Sequence, residues 1–506
     1  MDFGRTAIRF VLLTTVLFLA GQAMAADAAA KASAAPTAPA AYAGQAAAPH
    51  WHNIDALDAF HHPFDGLEMG LDLRLREVYT HNMFALDDQF GDTMGMNSND
   101  MHWQRYRTRW STIWTLSPDV TFNTRLTWEF WTIDKPEQIP VASIKPLSKQ
   151  DTDFREMIFD TMNIQWKNAF DLPMTLTVGR QDIILGTGWL VLDGSPADGS
   201  RTIFFDAVRA TVDLSDKTKL DLIGIVQYDD ESKWLKPINH RDWIHVTQKT
   251  DEKAFIAYLT DKSIENTQLE AYYMYKNEEP SEWSDGSKSW WSTSEGQDAE
   301  IHTLGGRVAQ NLDTNWSYSV EVAKQFGKRN EESMTGLGSN NSLKYAFNDE
   351  LKNEMSLMYE YLSGDDKSTS QSEKFDTLWG DWPQYQRGGD LQAYLWAFEG
   401  ATGEVANLHR TGVKHSFKPA KEWTMETLYN LMWADQNGAT QSGAPYLKVS
   451  DNSYFRGQMI TGLLTYSCCK NFKTFFLVDY FIPGSYYDQS NRDHAIFSRI
   501  SMEWTF

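Results

Sequence analysis

The sequence predicts an all-β fold: a transmembrane antiparallel β-barrel, with short turns at one rim and long loops at the other. Three observations carry that expectation. Strands alternate polar with apolar side chains, connections alternate short with long, and the last strand ends on an aromatic residue. The most informative strand lies in MHWQRYRTRWSTIWTL. There Arg105, Arg107 and Arg109 occupy every second position, and Tyr106, Trp110, Trp114 and Leu116 hold the opposite parity. A strand has a side-chain period of two, so one face is a ladder of positive charge and the other is aromatic. A wall with lipid on one side and an aqueous lumen on the other needs those two faces. A soluble β-protein with a basic outer face could present them too, and the rest of the chain decides.

The chain opens with Arg5 and Arg9 ahead of the apolar run FVLLTTVLFLA (10–20), and Ala23-Met24-Ala25 offers a small-x-small cleavage site. Residues 1–25 are expected to be a secretory signal peptide. An uncleaved anchor is the alternative, but the run falls short of the roughly 20 apolar residues a spanning helix needs. Residues 26–64 are Ala-rich with scattered Pro, Gln and Ser, expected to be a disordered leader. The barrel is expected over 65–506.

Alternation then recurs. Leu67, Met69, Leu71, Leu73 and Leu75 oppose Glu68, Asp72, Arg74 and Arg76. Val120, Phe122, Leu126, Trp128 and Phe130 oppose Asn123, Arg125 and Glu129. Val208, Ala210, Val212 and Leu214 oppose Arg209, Thr211 and Asp213. Similar runs follow around 269–276, 354–361 and 423–433. Short connections are expected at LSPD, NAFDLP, SDKT and KPAKE, and long ones over 133–153, 230–252, 277–299, 364–390 and 434–455. Tight turns on one rim and long loops on the other is the outer-membrane pattern. The chain stops at HAIFSRISMEWTF, an alternating strand whose Trp504 and Phe506 resemble the assembly signal of bacterial outer-membrane barrels.

Composition fits and excludes. With 20 Trp, 21 Tyr and 13% aromatic residues, the chain can furnish two interfacial girdles, or a sugar-stacking surface. A mean hydropathy of −0.48 excludes a helical membrane bundle but not a barrel, where only alternate residues meet lipid. A net charge of −22 argues against nucleic-acid binding. The two cysteines, Cys468 and Cys469, exclude a disulfide scaffold, and in a regular strand they would point to opposite faces. No HExxH, CxxC, Gly-rich phosphate loop or G-x-S-x-G frame is present. No catalytic residue, metal site or cofactor is therefore expected.

Several segments in order resemble the alginate-export outer-membrane proteins. LTVGRQDIILGTGW followed by FFDAVRATVDL is similar to that family's Gly-Arg-Gln segment and its next strand. YEYLSGDD with KFDTLWGDWPQYQ, then NLHRTGVKHSFKP with WTMETLYNLMWAD, then GQMITGLLTYSCCKNFKTFFLVDYFIPG, continue the likeness to the end of the chain. The resemblance implies an eighteen-stranded monomeric barrel of the bacterial outer membrane, passing an anionic uronic-acid polymer through an arginine-rich lumen. The region 330–348 departs from the family's alternating strand.

The expected function is a passive channel whose lumen carries Arg105, Arg107, Arg109, Arg125, Arg209, Arg307, Arg410 and Arg499, with Glu129 and Glu503 as lumen acids. Arg180 joins them on the resemblance alone, because strict parity from Leu176 and Val178 turns it outward unless a bulge or the strand end intervenes. Guanidinium stays charged and offers a planar fork to carboxylates. The expected partners are an anionic polysaccharide or oligosaccharide, outer-membrane lipid and the barrel-assembly machinery, with no nucleic acid. An uptake porin for small anions or oligosaccharides is the alternative, and an outer-membrane barrel enzyme a remote one.

Overall fold

The structure is a computed structural model, which describes residues 59–83, 85–89, 99–135, 153–192, 204–228, 234–236, 238, 251–279, 298–380, 390–392, 395, 406–437, 447–450 and 452–506. The expected signal peptide and most of the expected leader lie outside the described residues.

The strands are β1 (Leu67–His81), β2 (Asp100–Ser117), β3 (Val120–Lys135), β4 (Asp153–Trp166), β5 (Met174–Gln181), β6 (Phe205–Ser215), β7 (Thr218–Gln227), β8 (Asp251–Asp261), β9 (Thr267–Glu279) and β10 (Ala299–Asn311). They continue as β11 (Trp316–Arg329), β12 (Glu332–Met334), β13 (Leu337–Ala346), β14 (Glu354–Leu362), β15 (Gln371–Ser372), β16 (Leu408–Ala420), β17 (Trp423–Trp433), β18 (Phe455–Cys469), β19 (Phe472–Pro483) and β20 (Ala495–Thr505). β12 and β15 are short loop strands that pair with each other in parallel. The other eighteen form an antiparallel meander, and β1 pairs with both β2 and β20, so the sheet closes on itself. Closure leaves no edge strand, which lipid would not tolerate. The four predicted short turns join β2–β3, β4–β5, β6–β7 and β16–β17, and the five predicted long connections all fall at the opposite rim.

Burial follows parity. On β2, Arg105, Arg107 and Arg109 are buried inside the barrel, whereas Trp110 on the other face is 47% exposed. On β6, Val208 is 48% exposed. Rings gather on the outer wall near both rims. Tyr273 Oη and His302 Nδ1 are 2.8 Å apart near the long-loop rim. Trp423 and Tyr466 lie 4.7 Å apart, and Phe472 and Trp504 5.2 Å, near the short-turn rim. Amphipathic rings of this kind settle at membrane interfaces.

Two local expectations change. The 330–348 region holds an ordinary barrel strand, β13, fully paired with β11 and β14. Its alternation is hard to see because Ser339 and Asn341 share the outward parity of Leu337 and Leu343, and Asn341 Nδ2 is occupied by Ser339 Oγ at 3.2 Å. The cysteines do not diverge either. The β18–β19 register shifts between Tyr466 and Cys469, and that irregularity brings the two Sγ atoms within 3.0 Å of each other.

Candidate functional site

β1 and β2 place like charges side by side: Arg74 is the cross-strand partner of Arg107, and Arg76 of Arg105. Directly opposed like charges destabilise a sheet, so the arrangement needs acids between them. The neighbouring strands supply these. Glu129 on β3, 2% exposed, accepts from Arg105 Nη2 at 2.6 Å and from Arg74 Nη2 at 3.0 Å. Asp72 accepts from Arg107 Nη2 at 2.8 Å. Asp160 on β4 accepts from Arg125 Nε at 2.7 Å and lies 3.8 Å from Arg109 Nε. Both oxygens of Asp182 hold the far end of Arg125, at 2.7 and 2.8 Å. Arg76 Nε donates to Ser501 Oγ on β20 at 3.0 Å. Sequence neighbours show no acids matching the ladder. Strand pairing brings them from 24 to 57 residues away.

The other expected arginines are paired as well. Arg209 Nε donates to Asp221 at 2.8 Å. Arg307 grips Glu270 through Nε at 2.6 Å and Nη2 at 2.5 Å, and Tyr258 Oη donates to the same carboxylate at 2.6 Å. Arg410 reaches Glu360 and, at 2.7 Å, Gln392 Oε1. Arg499 pairs with Asp390. Glu503 is partly exposed beside the short-turn rim, across from Arg74 and Lys473 in the strand register. Arg180 stands apart from this set. It lies one residue from the end of β5, after Gly179 at φ +121°, and Asp206 accepts from it through both oxygens at 2.9 Å. Its cross-strand partner Asp206 has the parity of outward Val208, and its guanidinium sits 3.7 Å over the Phe204 ring. At the chain end, Trp504 shares the parity of exposed Ile500 and Met502. Phe506 exchanges both backbone hydrogen bonds with Leu71, at 2.7 and 2.9 Å.

Other lumen groups were not singled out by the sequence. Arg74 and Arg76 could have been, since they alternate with Leu73 and Leu75. Lys276 could have been too, since it opposes Tyr273 and Tyr275; Arg329 was not in any run singled out. Arg329 ends β11 and pairs with Asp376 of the β14–β16 connection. Lys276 Nζ lies 3.0 Å from Glu252 and 2.5 Å from Glu278.

Two long connections fold inward. After β5, Gly186 lies against the β8–β10 wall at φ +59°, and a Cβ there would come within 2.7 Å of Tyr258 Oη. Trp189 continues across and donates Nε1 to Glu360 on β14 at 3.0 Å. With the short β12 left out, β5 and β14 are eight strands apart in a ring of eighteen, so this segment crosses the lumen. The β14–β16 connection meets it there. Trp379 N donates to Leu190 O at 2.9 Å, Leu192 N donates to Trp379 O at 3.3 Å, and Phe375 stacks on Trp189 at 5.6 Å. Trp379 Nε1 then reaches Glu252 on β8 at 2.8 Å. Buried Ile223, Ile225, Ile256, Met274 and Ile301 pack in the same apolar cluster. Charge lines the lumen's middle, and this cluster narrows it toward the long loops.

Carboxylates at both rims are held below their ordinary range by N–H donors of their own turns: Asp313 and Asp349 at one rim, Asp366 and Asp488 at the other. These four carboxylates therefore stay ionised further into acid than an ordinary Asp. Among the described residues, Glu77, His102 and Asp134 have ligand atoms within 4.8 Å of one another and could hold a metal ion, but they lie on the outward parity and already bond one another.

The family model for alginate export matches residues 65–449. The chain belongs to the alginate export family. Solved structures similar to this family member include OccAB4 of Acinetobacter baumannii, at 12% identity over 87% of this chain and 98% of that one, with a TM-score of 0.52. OpdQ of Pseudomonas aeruginosa matches at 12% identity over 87% and 98%, TM-score 0.51. OpdL of the same organism matches at 10% over 88% and 99%, TM-score 0.51. At these identities the likeness concerns the fold. No curated protein matches the chain. This alginate-export family member is an eighteen-stranded β-barrel channel of the bacterial outer membrane, with the long loops outside and the short turns periplasmic.

Proposed function

We propose that the channel passively conducts an anionic polysaccharide, a polyuronate such as alginate, past an anion-selective arginine wall. The observation that supports this reading most is the concentration of Arg74, Arg76, Arg105, Arg107, Arg109 and Arg125 on three adjacent strands facing the lumen. A polyuronate carries one carboxylate per sugar, and confinement strips water from each. Guanidiniums replace that water with charge-assisted hydrogen bonds. The lumen acids matter equally. A guanidinium already sharing a carboxylate binds the incoming one more weakly, so the polymer is handed along rather than trapped. Arg209, Arg307, Arg410 and Arg499 extend the path around the wall, and Glu129 and Glu503 orient their neighbours. On this reading the channel performs no covalent chemistry, residues 1–25 are removed on export, and Trp504 and Phe506 are read by the barrel-assembly machinery. The barrel works as a monomer.

The segment crossing the lumen favours a second reading, uptake of small anions or short oligosaccharides. Planar bilayers separate the two. Wild type should be anion-selective, and polyuronate should block the current. Replacing Arg105, Arg107 and Arg109 together with Ala should shift the reversal potential toward cations and weaken the block. Unchanged selectivity and block in that variant would refute the arginine wall. Free passage of short oligouronates with no hold on the polymer would favour uptake.

A further inference from the structure

Two wall arginines differ from the ladder in what they hold. Glu129, Asp72 and Asp160 belong to wall strands, so their pairs with the ladder are pairs within the wall. Arg329, at the end of β11, instead pairs with Asp376, and Arg499, on β20, with Asp390. Both acids belong to the β14–β16 connection, which folds into the lumen. Gln392 of that connection also offers its carbonyl to Arg410 at 2.7 Å. Leu391 N donates to Asp479 on β19 at 3.1 Å, which seats Asp390 beside Arg499. Asp376 is itself shaped for presentation, since its Oδ1 accepts from Leu378 N at 2.7 Å while Oδ2 faces Arg329. All four groups are buried: Arg329 is 7% exposed, Asp376 8%, Arg499 2% and Asp390 2%. A carboxylate on a short stem, delivered to a guanidinium from the lumen side, is the chemistry that a uronate ring would present there.

We propose that Arg329 and Arg499 are carboxylate-binding subsites of the pathway, and that Asp376 and Asp390 occupy them as built-in stand-ins for substrate carboxylates. This deepens the polyanion reading and rests on it for the identity of the ligand. An uncovered buried guanidinium would be costly, whereas exchanging one carboxylate for another leaves each arginine paired throughout. The polymer takes the two sites by competition, and the connection returns to them when it leaves. The sites lie far apart on the ring, on β11 and β20, so a chain of charges can occupy both whereas a single small anion cannot.

The test uses the full chain, purified and reconstituted in planar bilayers, with Asp376→Asn and Asp390→Asn singly and together. Asn keeps the shape and removes the competing charge. The probes are a potassium chloride gradient and an oligouronate of defined length. The double variant should become more anion-selective, and its half-blocking oligouronate concentration should fall roughly tenfold, the worth of one charge-assisted hydrogen bond freed from competition. Asp376→Glu and Asp390→Glu should return both readings toward wild type. Asp216→Asn, in the exposed β6–β7 turn, changes net charge as much as either single variant and should leave both unmoved. Heat-modifiable migration shows that each variant is folded, and a variant that fails it is replaced by its single-site counterpart. A double variant with wild-type selectivity and wild-type half-block overturns the proposal. If oligouronate blocks none of the proteins but the variants still gain anion selectivity, the subsites stand and the polyuronate reading falls.

Discussion

Glu129 is where the lumen electrostatics can be measured most directly. Its carboxylate is shared by Arg105 and Arg74, at 2.6 and 3.0 Å, in a site almost closed to solvent. Glu129→Gln retains the shape and removes the charge. Each charge-assisted hydrogen bond is worth about 1.5–3 kcal/mol, and removing one partner of a buried pair typically costs about 3–5 kcal/mol. Water in the lumen lowers both figures. The acid also separates cross-strand arginine pairs that repel when it is gone. We therefore expect a loss of about 3 kcal/mol, near the low end of the range for breaking a buried pair. Urea titration in lipid vesicles, followed by tryptophan fluorescence, measures it. A double-mutant cycle with Arg105→Gln isolates the pair, and its coupling should exceed about 1 kcal/mol. The same variant should be more anion-selective, since two guanidiniums lose a counter-charge. A stability loss below about 1 kcal/mol with no coupling would mean that the ladder is held by hydration and not by its acids, and the handover argument would lose its basis.

Two further outcomes are expected. Deleting Phe506 removes both backbone hydrogen bonds to Leu71 at the closing seam, and should lower the amount in the outer membrane while synthesis is unchanged; quantitative blotting of membrane fractions checks it. Trp189→Ala removes the ring that stacks on Phe375 and the donor to Glu360, and should cost about 3–5 kcal/mol and raise single-channel conductance. Unchanged conductance would show that the crossing segment does not limit flow.

The barrel was legible because lipid imposes a strict rule on every second residue. Leu71, Leu73 and Leu75 against Arg74 and Arg76 could hardly be read otherwise. β13 was obscured because Ser339 and Asn341 break that rule on its outward face. The wall arginines were legible by parity, but their partners were not. Glu129 meets Arg105, and Asp160 meets Arg125, only through strand register, which no local window contains. The inward course of the β5–β6 connection was beyond reach for the same reason. Nothing local to Gly186 and Trp189 announces the crossing; it follows only once Tyr258 and Glu360 are placed around them.

The segment running from β5 to β14 has an engineering consequence. A hollow cylinder with a diagonal strut resists being squashed into an oval, and here the strut lies against Tyr258 and is tied to Glu360 and, through Trp379, to Glu252. If Trp189→Ala raises conductance, the bore is set by the strut as well as by the hoop. Strand number can stay matched to the bilayer while a change between Gln181 and Leu192 alters the passage without rebuilding the wall.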